Sequence, residues 1–114
     1  MQVIEKPWGQ EEVLEINSRY MFKRLTMRQG HKCSLQLHKQ KRETIYVLQG
    51  ALKISRGERP DALSDEIFTS GGVITLEPNV VHRMEAVEDD AVYLEASTPE
   101  MDDVVRFQDD YKRV

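Results

Sequence analysis

Apolar and polar residues alternate along the chain in short runs of four to eight: "EEVLEI", "YMFKRLTM", "CSLQLH", "TIYVLQ", "ALKISR", "DEIFTS", "VITLEP", "VHRMEAV", "AVYLEAST" and "DVVRF". Gly, Asn, Asp, Pro or charged clusters separate these runs at spacings of about ten residues, which predicts an all-β sandwich or barrel. No segment keeps a helical period over three turns. "QGAL" predicts a tight turn at Gly50 and "SGGV" another before Val73, while "RGERPDALSD" reads as a surface loop between two halves. Within 33–38 the alternation puts Ser34, Gln36 and His38 on one face of a strand and Cys33, Leu35 and Leu37 on the other. One face is apolar, and the other carries two groups able to hold a metal. A closed barrel or jelly roll hides its sheet edges and offers its mouth to a ligand, so the polar face has a destination inside.

Composition narrows the picture. A chain of 114 residues, 39% hydrophobic and 32% charged, fits a single domain over residues 1–114 with a modest core. The net charge of −4 argues against a nucleic-acid or anionic-membrane surface, which needs a basic field. Any anionic ligand must then be met by local Lys and Arg. The single cysteine forms no internal disulfide, the chain holds no bilayer-length apolar run, and its start does not read as a signal peptide; the expected location is cytoplasmic.

Chemistry concentrates in two blocks. The first runs Gly30, five residues, Gln36, one residue, His38, four residues, Glu43, six residues, Gly50; the second contains Gly72, Pro78 and His82. These blocks resemble the two signature motifs of the cupin superfamily, with Gln36 in the place of the first motif's first histidine. Val80 and Ala86 stand where the second motif usually has glycine and asparagine. Gln36 with His38, "KPWG" at 6–9, "FKRLTMRQG" at 22–30, "PNVVHRMEA" at 78–86 and "DDVVRFQDDYKR" at 102–113 together resemble the cupin domain of type II mannose-6-phosphate isomerases. That domain often follows a mannose-1-phosphate guanylyltransferase domain. No glycine-rich nucleotide-binding opening occurs in this sequence, so nucleotidyl transfer is not expected of it. Departures from the pattern are Lys112, Thr44 and Ile45.

The resemblance implies a double-stranded β-helix in which Gln36, His38, Glu43 and His82 converge on one divalent ion. Two imidazole nitrogens, a carboxylate oxygen and an amide oxygen form a mixed set that suits Zn first, and also Mn, Fe, Ni or Co, with positions left open. It implies an aldose–ketose isomerase acting on a phosphorylated sugar, with mannose 6-phosphate as the family's substrate. Arg106 is the expected phosphate contact, weighed evenly against a plain strand-surface charge. Lys23 and Glu85 are the candidates for the base, although Lys23 reads rather as a surface charge. His82, as a ligand, should be neutral and unable to serve. A metal-centred oxygenase and a non-catalytic sugar-binding domain are the alternatives. Cys33 is expected in the core, Trp8 as a plug at one barrel end, His31 at the rim, and the acidic runs "VEDDA" and "MDD" in turns or on solvated faces. A homodimer is expected from family habit, and because "EEVLEI" lacks an obvious partner within a minimal barrel.

Overall fold

The computed structural model describes residues 1–112, so Arg113, the last residue of the "DDVVRFQDDYKR" phrase, lies outside the described residues. Nine strands occupy them: β1 (Gln2–Lys6), β2 (Gly9–Ile16), β3 (Met21–Met27), β4 (Leu35–Leu37), β5 (Glu43–Gly57), β6 (Leu63–Phe68), β7 (Val73–Leu76), β8 (Val81–Ser97) and β9 (Val105–Gln108). No helix among them is long and apolar enough to cross a membrane.

Two strands are long enough to serve two sheets. The first part of β5 pairs with the last part of β8 (Glu43 opposite Ser97), and its last part pairs with the first part of β8 (Gly57 opposite Val81). The first sheet therefore runs β1–β2–β3–β8–β5–β7 and the second β9–β4–β8–β5–β6, all antiparallel. The predicted turn at Gly50 is instead a bend inside β5, where the β5–β8 register slips between Val47 and Leu52. Gly50 takes a φ of 80°, and a Cβ there would lie 2.6 Å from the Asp90 carbonyl oxygen, so glycine lets the two bent strands approach. Most of "RGERPDALSD" is likewise absorbed into a hairpin, since β5 and β6 stay paired out to Gly57 and Leu63. The turn before Val73 forms as expected.

Alternation decides what enters the barrel. In β3, Met21, Lys23, Leu25 and Met27 point inward; in β8, His82, Met84 and Ala86 do so, followed past the bend by Ala91, Tyr93, Glu95 and Ser97. Ile45, Val47, Leu52 and Ile54 of β5 are fully buried against them. "EEVLEI" is paired on both edges, to β1 and β3, because "QVIEK" forms an additional strand that the sequence reading passed over. It needs no second subunit to complete it, and that ground for expecting a homodimer is gone.

Candidate metal centre

Each of the central residues is delivered by a different piece of the fold. His38 follows β4, Glu43 opens β5, and His82 lies near the start of β8, directly across from Gln36 in the β4–β8 pairing. His38 Nε2 lies 3.6 Å and His82 Nε2 3.3 Å from Glu43 Oε1, with the two ring centroids 5.1 Å apart. One ligand atom from each of the three residues falls within 4.8 Å of the others, and all three residues are buried.

The hydrogen bonds behind the rings set their chemistry. His38 Nδ1 faces the Asp103 carbonyl at 2.5 Å and His82 Nδ1 faces the Val80 carbonyl at 3.0 Å. A carbonyl only accepts, so each Nδ1 carries a proton and each ring turns its Nε2 toward Glu43. Among the described residues, His38 Nε2, His82 Nε2 and both Glu43 oxygens are buried with no hydrogen-bond partner, the Lys41 ammonium standing 3.5 Å from Glu43 Oε2. The two Nε2 atoms and Glu43 Oε1, aimed at one point, repel one another unless a proton or a metal cation stands among them. The donor set, two imidazoles and a carboxylate, thus fits a divalent ion.

Glu43 stays ionised in this setting. Burial pushes its carboxyl up, but hydrogen bonds it can accept from the His38 and His82 rings, and then the Lys41 ammonium 3.5 Å from Oε2, outweigh that and hold it well below the usual carboxylate range. Glu95 goes the other way: burial and then the Glu43 charge raise it to about 8, with Lys41 pulling against them. Desolvation works against the Lys41 ammonium, but the neighbouring Glu95, Glu43 and Glu11 carboxyls outweigh it and raise Lys41 above the usual lysine value.

Gln36 opens onto the same space, where its Oε1 accepts the Ser34 hydroxyl at 2.6 Å. A cavity of about 60 Å³ beside His38, Glu43, Lys41 and Glu95 leads outward to one of about 310 Å³, with Trp8 and Cys33 in the walls of both. Lys6, Lys23, Lys41 and Arg106 line the outer cavity, facing Glu11 and Asp102. Arg106 lies opposite Gln36 in the β4–β9 pairing, and its Nε is buried without a hydrogen-bond partner among the described residues. Lys23 is a correction: it is buried rather than a surface charge, and its Nζ binds Glu11 Oε1 at 2.8 Å.

Glu85 is a second correction. It stands an odd number of residues from His82, so it points out of the barrel, pairs with Lys53 at 3.3 Å and lines a separate groove; it drops out as a base. Cys33 is a third: it shares the cavity wall with Gln36 and His38, because regular strand begins only at Leu35 and the β4–β9 register slips at Gln36. Its thiol, pushed up to about 11 by burial, is no thiolate, which fits its core role. His31 sits near the surface with Nδ1 2.7 Å from the Tyr111 hydroxyl. The sequence reading missed Glu11, Lys41, Glu95 and Asp103. Asp103 belongs to "MDD", and its carboxylate accepts the backbone N–H groups of Lys39, Gln40 and Lys41.

Residues 1–109 match the family described as "Mannose-6-phosphate isomerase C-terminal". The chain belongs to that family. Among curated relatives, the xanthan biosynthesis protein XanB of Xanthomonas campestris pv. campestris is 31% identical over 96% of this chain. The mannose-1-phosphate guanylyltransferase ManC of Salmonella typhimurium is 28% identical over 97% of it. The chain spans only 23% of the length of each of these two relatives. Among solved structures, KdgF from Halomonas sp. superposes with a TM-score of 0.77 at 16% identity, covering 90% of this chain and 91% of that one. A protein with a double-stranded beta-helix domain from Klebsiella pneumoniae gives 0.73 at 10% identity, covering 92% and 89%. The fold is the cupin double-stranded β-helix.

Proposed function

We propose that this member of the mannose-6-phosphate isomerase C-terminal family is a metal-dependent aldose–ketose isomerase acting on a phosphorylated hexose, mannose 6-phosphate first among candidates. One observation carries the reading: a cavity rimmed by Lys6, Lys41 and Arg106 leads inward to unpartnered imidazole and carboxylate atoms. In a chain of net charge −4, cations gathered at one mouth favour an anion there. His38, Glu43 and His82 would hold the ion, Zn first among those considered, with the Gln36 amide oxygen as fourth ligand. When bound, such an ion supplies a Lewis acid that polarises the sugar's oxygens.

The protein's own residues do the rest. Arg106 and the lysines orient the phosphate, so the far end of the sugar points to the inner cavity. Glu95 lies in that inner cavity with His38 and Glu43, and is the group we assign to carry the proton between adjacent carbons. Trp8, 4% exposed, walls the cavity and limits water. A coupled assay on mannose 6-phosphate, with chelated protein and metal add-back, should show turnover only with metal. Metal-loaded protein that binds the sugar phosphate without converting it would replace this reading with a sugar-binding domain. Oxygen uptake instead would point to the oxygenase.

A further inference from the structure

Asp103 lies in the link between β8 and β9, more than sixty residues from the segment it grips. Its backbone carbonyl accepts the His38 Nδ1 proton, and its carboxylate accepts the N–H of Lys39 at 2.9 Å, Gln40 at 2.7 Å and Lys41 at 2.9 Å. One residue thus engages four consecutive positions of the loop that leads from β4 to Glu43. That loop carries one metal-site imidazole at its start, the Lys41 ammonium within it and the metal-site carboxylate at its end. On the other side of Asp103 the chain continues to Val104 and Arg106, both in the wall of the outer cavity.

We propose that Asp103 is the positioning residue of the centre. Its carbonyl fixes the His38 tautomer and ring direction, and its carboxylate sets the span between His38 and Glu43. The same residue ties these ligands to the segment that bears Arg106, so metal holding and anion holding share one fastening. The inference rests on the metal-dependent reading above. Partners behind a ligating imidazole orient it and raise its basicity, and their loss costs about 10- to 100-fold in metal affinity. Here one residue supplies both that partner and the loop's backbone acceptors.

The test is a cobalt titration, followed by the absorption of the bound ion, on the full chain and on Asp103→Ala and Asp103→Asn, with melting temperatures measured beside it. Asp103→Ala keeps the backbone carbonyl but frees the loop that aims it at His38, so it should bind cobalt more weakly by about 10-fold, the lower end of that range. Asp103→Asn, which keeps one acceptor oxygen, should show a smaller loss in the same direction, and it carries the test should the alanine variant fail to fold. Inorganic phosphate should bind the metal-free Asp103→Ala protein more weakly than the unsubstituted one, while Asp102→Ala should leave the cobalt affinity in place. A lowered melting temperature with cobalt affinity within about twofold of the parent would make Asp103 a purely structural clamp and overturn the inference. Failure of the unsubstituted protein to bind any divalent ion would overturn the metal reading itself, and this one with it.

Discussion

The two ends of the barrel interior are built from the same strands and hold opposite chemistry. Around its bend, β5 contributes Ile45, Val47, Leu52 and Ile54, which pack with Met84, Ala86, Ala91 and Tyr93 of β8 in a fully apolar cluster. Away from the bend, β5 carries Glu43 at its start, β8 carries His82 opposite Arg56, and β3 and β8 bring Lys23 and Glu95 directly across from one another. Lys41 and the two histidines complete a buried charged end. Ionic groups out of water cost several kcal/mol each unless they are paired, and a well-packed apolar set of the same volume is often at least as stable. The apolar end explains why the barrel holds together. The charged end costs stability, and a site prepared for a ligand is the reading proposed for it.

That contrast can be broken from either side. The largest effect should come from Glu95→Gln, which keeps the shape and removes the proton carrier: kcat for the sugar phosphate should fall about a hundred- to ten-thousandfold, while metal content by elemental analysis stays as in the parent. A fall in metal content to match would make Glu95 a ligand instead. Next, Leu52→Ala at the apolar end should cost roughly 2–5 kcal/mol of stability in denaturant melts, with metal per folded molecule unchanged. A shift in metal affinity there would mean that the two ends are coupled. Arg106→Ala should be smaller, raising KM for a phosphorylated sugar about ten- to hundredfold, since a charged hydrogen bond is worth about 1.5–3 kcal/mol. An unphosphorylated sugar should be almost unaffected. Equal losses on both would show that Arg106 holds the fold.

Much of this contrast was legible in the sequence, and the misses have physical reasons. Alternation put Gln36 and His38 on one face, and the resemblance to the cupin motifs, carried by the spacing to Glu43 and His82, implied the cluster; His38, Glu43 and His82 do lie together. The same parity, carried further, also settles two residues the sequence reading misplaced. Lys23 shares its phase with the buried Leu25 and Met27, and Glu85 is out of phase with His82. Glu95 was harder to see: both faces of "AVYLEAS" offer apolar residues, so alternation alone does not say which face is inside. Lys41 and Asp103 lie outside the strands, and their roles depend on a long-range backbone clamp that no local pattern encodes. The long β5 and β8 were read as separate strands because Gly50 and the acidic stretch at 88–90, where Asp89 takes a φ of 52°, look like turns. A bulge and a turn use the same residues.

The central claim is that His38, Glu43 and His82 form one metal centre. It is tested most directly by elemental analysis of the parent protein and its His82→Ala variant after incubation with excess zinc and removal of free ion. The account predicts one equivalent of metal per chain in the parent and loss of most of it in the variant. An unsubstituted protein without bound metal, or a His82→Ala variant that keeps its full equivalent, would contradict it.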